Sequence, residues 1–119
     1  DGNGTEYYYS GQRRYQGQWR DGLPDGHGTL YHLESGSKAY EGHFTAGQKN
    51  GHGTEYYDSG QIGYQGEWKD GAMDGHGILY YRNTGNKAYD GMFRGGRRHG
   101  VGTWYDEAGT ALDLADWAA

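Results

Sequence analysis

The sequence predicts an all-β fold, in which short antiparallel β-hairpin repeats stack into an elongated single-layer array capped by a short C-terminal helix. Three observations lead to this prediction: an aromatic motif recurs every 24 or 25 residues, a Gly-x-Gly motif lies between its copies, and aliphatic side chains are scarce. Only 33% of the 119 residues are hydrophobic, and 13 Tyr, 4 Trp and 2 Phe supply nearly half of these. Aromatic rings must therefore form the core.

The aromatic motif reads Tyr-x-Gly-x-Trp or Tyr-x-Gly-x-Phe. Its four copies occupy residues 15–19, 40–44, 64–68 and 89–93. The Gly-x-Gly motif occupies residues 2–4, 26–28, 51–53, 75–77 and 100–102, and a Tyr follows each copy at a fixed distance. A disordered Gly-rich chain has no reason to space its glycines and rings regularly, whereas a repeat fold needs them at each turn and contact. The 25 glycines therefore indicate a repeat protein.

One repeat shows how the chain is expected to fold locally. Residues 54–58 and 62–68 alternate with period two around a Ser-Gly pair, which is typical of a β-hairpin. Tyr64, Gly66 and Trp68 should share one face, and the glycine between the rings should leave room for a ring from a neighbouring strand. Residues 69–75 are rich in Asp and Gly and are predicted to be the turn to the next hairpin.

The domain organisation follows from the repeats. Residues 1–109 form one array, with a partial repeat at 1–14 and full repeats that start near Tyr15, Tyr40, Tyr64 and Tyr89. The pattern stops after Gly109, and residues 110–113 have the spacing of a helix capping box. Residues 110–119 are therefore predicted to be a helix whose Leu112 and Trp117 cover the edge of the last hairpin. A frayed tail and a partner-binding helix are the alternatives.

Charge and composition exclude several functions. The formal net charge is −5, with 16 acidic and 11 basic side chains, so nucleic acid is not expected as a partner. The chain has no Cys, which excludes disulfides and thiolate metal sites. Its apolar runs are all shorter than the ~18 residues that span a bilayer. We expect an intracellular protein, either cytoplasmic or at a membrane or cytoskeletal structure.

A family resemblance supports the repeat prediction. Residues 64–68, Gly71 and the Gly-His-Gly of residues 75–77 give the order Tyr-x-Gly-x-Trp-x-x-Gly followed by His-Gly, and similar segments cover nearly the whole chain. This order resembles the membrane occupation and recognition nexus (MORN) repeat. The resemblance implies stacked hairpins in a grooved sheet, with the motif aromatics along the groove and no catalysis.

The candidate site is this aromatic groove. Its expected residues are Tyr15, Trp19, Tyr40, Phe44, Tyr64, Trp68, Tyr89, Phe93, Tyr31, Tyr56 and Tyr80. The same rings could equally be only the core. However, a single sheet has no second layer over its apolar face, and Tyr and Trp are frequent interaction hot spots.

Two polar features have competing interpretations. His27, His52, His76 and His99 recur with the repeats, but equivalent residues should lie about 10 Å apart, too far to share a zinc ion, so we expect packing or hydrogen bonding and no metal site. Arg94, Arg97 and Arg98 form the densest basic cluster. They are either a solvated turn or a patch for an anionic ligand, such as a phosphoinositide or an acidic protein surface.

The sequence thus favours a non-enzymatic scaffold that binds a helix or extended segment of another protein, without a cofactor or catalytic residues. Peripheral binding to phospholipid headgroups is the first alternative, and glycan or choline recognition is the second. The array could also be the targeting arm of a larger enzyme, and its outer strands offer edges for end-to-end self-association.

Overall fold

The computed structural model describes residues 2–112, which contain nine strands and no helix. The strands are β1 (Gly2–Tyr7), β2 (Arg13–Arg20), β3 (Leu23–Tyr31), β4 (Lys38–Thr45), β5 (Gln48–Tyr56), β6 (Ile62–Lys69), β7 (Ala72–Tyr80), β8 (Lys87–Arg94) and β9 (Arg97–Trp104). All nine form one antiparallel sheet in chain order, with overall dimensions of 49 × 26 × 17 Å. The predicted single-layer, elongated all-β array is confirmed for these residues.

The predicted C-terminal helix falls mainly outside the described residues. At its expected start the chain is extended instead: Ala111 forms a β-bridge with Tyr105, and the Leu112 amide donates to the Trp104 carbonyl at 2.8 Å. Residues 110–112 therefore continue the sheet edge, because the open β9 strand offers backbone hydrogen bonds that a helix start would not satisfy. Residues 113–119, including Trp117, are outside the described range.

Strands are joined by two alternating kinds of turn. Two-residue turns connect β2 to β3, β4 to β5, β6 to β7 and β8 to β9, and five- or six-residue turns make the other connections. In the turn after β6, Asp70 and Gly71 both have positive φ, 51° and 87°, as type I′ turns require. Such turns match the twist of the flanking strands, which explains the recurring Asp-Gly and Gly-Gly pairs.

The predicted turn over residues 69–75 is therefore wrong in extent. Only Asp70 and Gly71 turn, and β7 has already begun at Ala72. The second Asp-Gly pair, Asp74-Gly75, lies within β7 at a bulge, where the register passes from Trp68↔Met73 to Gly66↔Gly77. The Asp-Gly dipeptide has two uses here, because positive φ serves a bulge as well as a turn.

The longer turns are connected to one another by side chains. The Tyr57 hydroxyl donates to the Tyr80 carbonyl in the next repeat at 2.7 Å, and the Tyr81 hydroxyl donates to the Tyr105 carbonyl at 2.6 Å. At the equivalent position His32 replaces Tyr, and its Nε2 lies 3.0 Å from the Tyr56 carbonyl oxygen. These contacts hold consecutive repeats in register at this edge of the sheet.

A row of paired glycines crosses the sheet. The register pairs Gly4 with Gly17, Gly28 with Gly42, Gly53 with Gly66, Gly77 with Gly91, and Gly91 with Gly102. The Tyr64 ring lies across two of these glycines, since a Cβ added at Gly77 would overlap the ring and one at Gly66 would lie 2.8 Å from the hydroxyl oxygen. The glycine between the motif rings, Gly66, therefore allows close approach of the next strand's backbone, since a Cβ there would lie 2.5 Å from Gly77 Cα and from the His76 carbonyl oxygen. The prediction that it leaves room for a ring from a neighbouring strand is wrong.

The rings form one continuous chain along the array. Contacting centroids are 4.9 to 5.4 Å apart, and all but the last pair are edge-to-face. The order is Trp19, Tyr15, Phe44, Tyr40, Trp68, Tyr64, Phe93, Tyr89 and Trp104. Each pair in this geometry contributes about 0.5 to 1.5 kcal/mol beyond burial, so every repeat is stabilised by the next.

We expect Gly77→Ala to lower the free energy of unfolding by about 3 kcal/mol, because the new methyl group and the buried Tyr64 ring would occupy the same space. Urea denaturation followed by tryptophan fluorescence measures this change. Gly63→Ala is the control: its Cβ would meet the Tyr57 ring at 3.3 Å, which a small shift relieves. Equal losses in the two variants would contradict the close-packing argument.

Ala46→Asn should raise the free energy of unfolding by about 1 kcal/mol, because Ala46 has a φ of 50° and asparagine tolerates this left-handed conformation better. Asp70→Ala introduces alanine at the equivalent turn position and should have the opposite effect. Shifts in the urea midpoint report both. A destabilised Ala46→Asn protein would count against the turn assignment.

Candidate functional site

The motif rings are the core of the sheet. Tyr15, Tyr40 and Tyr64 are fully buried, and Phe44, Trp68, Tyr89 and Phe93 are at most 5% exposed. Each tyrosine hydroxyl is also satisfied within its own strand, as when Tyr64 donates to the Glu67 carbonyl at 3.0 Å. These seven predicted groove residues therefore present almost no surface to a partner, and Trp19 is only partly buried.

The predicted groove residues do not all share one face. We call the side that carries Tyr15, Tyr40, Tyr64 and Tyr89 the ring face, and the opposite side the polar face. The Tyr31 hydroxyl lies 3.4 Å from Gln16 Oε1, and the Tyr80 hydroxyl lies 3.4 Å from Gln65 Oε1. Both glutamines point to the polar face, because they alternate with the motif residues.

Tyr31, Tyr80 and the equivalent Tyr56 thus belong to the polar face. The register between strands decides this. Leu30 is paired with Tyr15 on the ring face, so Tyr31, the next residue along β3, points to the polar face.

A second layer of side chains partly covers the ring face. Leu30, Met73, Leu79 and Trp104 are partly buried and pack on the ring core. None of these four was predicted as a groove residue, although Leu30, Leu79 and Trp104 are paired opposite motif tyrosines and Met73 opposite Trp68, which was the available signal. The side chains of Leu30, Met73, Leu79 and Trp104 are apolar and only partly buried, so a partner can still reach them.

The first cavity on the ring face lies in the middle of the array and has a volume of about 370 Å³. Lys49 Nζ is 5.0 Å from the centroid of Tyr40 and 4.7 Å from that of Trp68, and it pairs with Glu55 Oε2 at 3.3 Å. Arg82, which also lines the cavity, lies 4.8 Å from the centroid of Tyr57. Cations here sit against ring faces.

The second cavity has a volume of about 470 Å³ and lies towards β9. Met73, Leu79, Phe93 and Trp104 supply its apolar lining, and Arg97 and Arg98 supply its charged lining. Leu79 lines both cavities, so they adjoin along the array. We refer to the two cavities together as the groove.

Of the predicted basic cluster, two arginines line the groove and Arg94 is not among its lining residues. Arg97 and Arg98 line the groove, and the Arg98 guanidinium lies 4.3 Å from the Trp104 ring centroid. Arg94 is paired in register with Arg97 across the Gly95-Gly96 turn. All three arginines are exposed.

The four recurring histidines, His27, His52, His76 and His99, lie on strands. His27 and His43 are opposite each other with ring centroids 5.8 Å apart, and His76 Nε2 lies 2.7 Å from Asp90 Oδ1. Residues 2–112 contain no group of three or more His, Cys, Asp or Glu arranged to hold a metal ion. Over the same residues, no helix is long and apolar enough to cross a bilayer.

Burial of the core tyrosines perturbs their acidity. Desolvation is the main cause that raises the pKa of Tyr64 to about 12, and it also raises the pKa values of Tyr15 and Tyr40. All three hydroxyls therefore stay neutral at physiological pH, and these tyrosines serve as packing and hydrogen-bonding groups.

This geometry defines a class of protein: an open, single-layer β-hairpin repeat with a buried ring core and a groove above it. The family model for the MORN repeat matches residues 15–32, 40–62, 64–85 and 89–110, which together exceed half of the chain. The chain belongs to the MORN repeat family, so the resemblance is confirmed. Comparison with curated proteins found no match.

We predict that the free energy of unfolding falls as the pH rises above about 10, where tyrosines ionise in the unfolded chain while buried Tyr64 stays protonated up to about 12. Tyr64→Phe should flatten this decline by at most about 1.4 kcal/mol per pH unit. Urea denaturation between pH 8 and 11.5 tests it. Tyr9→Phe removes a hydroxyl at an exposed position and is the comparison variant, and a Tyr64→Phe slope equal to that of the wild type would refute the assignment.

Proposed function

We propose that this chain is a non-enzymatic scaffold module that binds a segment of another protein along the groove. The observation that carries the proposal is the incompletely covered layer above the ring core, where Met73, Leu79 and Trp104 are packed against the core yet partly open. A single sheet has no second layer that could bury these side chains. A partner segment laid on them would complete the burial.

The residue types in the groove support this proposal. Trp and Arg are among the side chains that most often dominate binding energy at interfaces, and here Arg98 is stacked against Trp104. The rigid ring core holds these side chains in place, so little conformational entropy would be lost on binding. The two cavities of the groove follow one another along the array, which suits an elongated partner segment.

The non-enzymatic part of the proposal rests on how the titratable groups are distributed. In the groove, Lys49 pairs with Glu55, and His32 Nδ1 lies 3.1 Å from Asp58 Oδ1. Each of these titratable groups is already engaged by its neighbour, whereas catalysis needs a nucleophile held beside an available base.

Binding to phospholipid headgroups is the second candidate function, and the exposed Arg94, Arg97 and Arg98 near one end of the sheet favour it. The net charge of −5 opposes it, because an anionic bilayer would repel the rest of the chain. Co-sedimentation with vesicles that contain a phosphoinositide, at low and high salt, separates the two candidates.

We expect Leu79→Gln to reduce partner binding at least tenfold, because it places an amide where both cavities have an apolar wall. The measurement is affinity recovery from a lysate of the source organism, followed by titration of the recovered protein. Ile78→Gln is the matched control: it is the adjacent residue of β7, and it faces the polar side opposite Gln65 and Asp90. Equal recovery by both folded variants would place the binding surface elsewhere.

A further inference from the structure

The groove has the opposite charge to the rest of the chain. Four cations line it, namely Lys49, Arg82, Arg97 and Arg98, whereas its carboxylates are Glu55 and Asp58. Both carboxylates already have a partner within the groove, Lys49 and His32 respectively. The chain as a whole carries a net charge of −5. The groove is therefore a locally basic strip on an acidic protein.

These cations stand beside apolar surface. Arg98 lies over the Trp104 ring, Lys49 lies over Tyr40 and Trp68, and Leu79 separates the two cavities. A ligand that binds here must therefore present an apolar side chain to the leucine and aromatic residues and an anion to the neighbouring cations. A carboxylate can take paired N–H donors from one guanidinium, and the neighbouring apolar surface strengthens such bonds by lowering the local dielectric.

The interval between equivalent positions sets a second requirement. Lys49, Met73 and Arg98 occupy equivalent positions on β5, β7 and β9, opposite Phe44, Trp68 and Phe93. Strands are about 4.8 Å apart, so these positions recur every ~10 Å. An extended segment covers this distance in about three residues and a helix in about seven. A complementary partner would place anions opposite Lys49 and Arg98 and an apolar side chain opposite Met73, so that the two kinds of residue alternate at one of these intervals.

We propose that the groove binds an acidic, amphipathic segment of a partner protein, in which large apolar side chains alternate with Asp or Glu at this interval. The inference rests on the proposed function and specifies its partner. Charge complementarity selects the partner, because the groove attracts an acidic segment while the surrounding net negative charge repels acidic surfaces that do not fit it. The four cations lie on β5, on the turn after β7 and on β9, with apolar side chains between them, which suits a narrow segment better than a flat bilayer.

The test is selection from a displayed library of random 16-residue peptides. The wild-type chain should enrich peptides with net negative charge and Leu, Met, Phe or Trp, and the spacing of their acidic residues should reveal whether they bind extended or helical. The Arg82→Glu/Arg97→Glu variant should bind the best selected peptide at least tenfold more weakly.

The control is Arg13→Glu/Lys87→Glu, which makes the same change in net charge. Arg13 Nη1 bonds Gln16 at 3.0 Å and Lys87 pairs with Asp90 at 3.6 Å, which places both cations on the polar face. This variant should change the affinity less than threefold. Thermal melting checks that both variants fold, which we expect because all four altered side chains are exposed.

The possible results distinguish failure of the acidic-segment inference from failure of the proposed partner-binding function. Selected peptides that lose binding to Leu79→Gln but show no acidic excess would overturn the inference and leave the proposed function standing. Equal weakening by the two charge variants would also overturn it. If peptides bind the Leu79→Gln variant as well as the wild type, the groove is not the contact surface and both fail. Binding to phosphatidylserine vesicles without any selected peptide would overturn the inference in favour of a membrane.

Discussion

The close approach of a tyrosine ring to a pair of glycines organises this protein. Because Tyr64 lies flat over Gly66 and Gly77, its hydroxyl reaches the Glu67 carbonyl and its edges meet Trp68 and Phe93. Any side chain at those glycines would lift the ring and break both contacts. The same arrangement recurs in each full repeat, so one steric constraint produces the glycine row, the ring chain and the uniform spacing of the array.

The residues that stabilise the array are different from those that form the surface of the groove. The motif rings are buried and nearly identical between repeats, whereas the layer above them varies: Lys49, Met73 and Arg98 occupy equivalent positions, as do Glu55, Leu79 and Trp104. These side chains can change without disturbing the chain of edge-to-face contacts beneath them. An array of equal repeats can therefore carry a surface that is chemically different at each step, which a scaffold requires to select its partner.

Successive repeats differ at the position that faces the two-residue turn of the next repeat, and electrostatics accounts for the difference. Asp25 accepts a hydrogen bond from the Ala46 amide at 3.0 Å, and Asp74 accepts one from the Gly95 amide at 3.3 Å, so each carboxylate caps a turn whose first residue is uncharged. At the intervening position Asn50 replaces aspartate, and the turn it faces begins with Asp70. Two carboxylates at that place would repel each other. The repeating unit is therefore a pair of hairpins.

The sequence by itself determined the all-β array, its repeat positions and the identity of the core, because fixed intervals of Tyr, Gly and Trp or Phe can be satisfied only by stacked strands. It did not determine which rings face a partner or where the tight turns lie. The register that pairs Leu30 with Tyr15 and Leu79 with Tyr64 places the following residues, Tyr31 and Tyr80, on the polar face. An Asp-Gly pair makes a turn at Asp70 but a bulge at Asp74. The sequence did not show the groove either, because Lys49, Leu79 and Arg98 align on one face only when consecutive strands pair in their particular registers. Local spacing encodes the repeat, and the register between strands decides which surface the repeat presents.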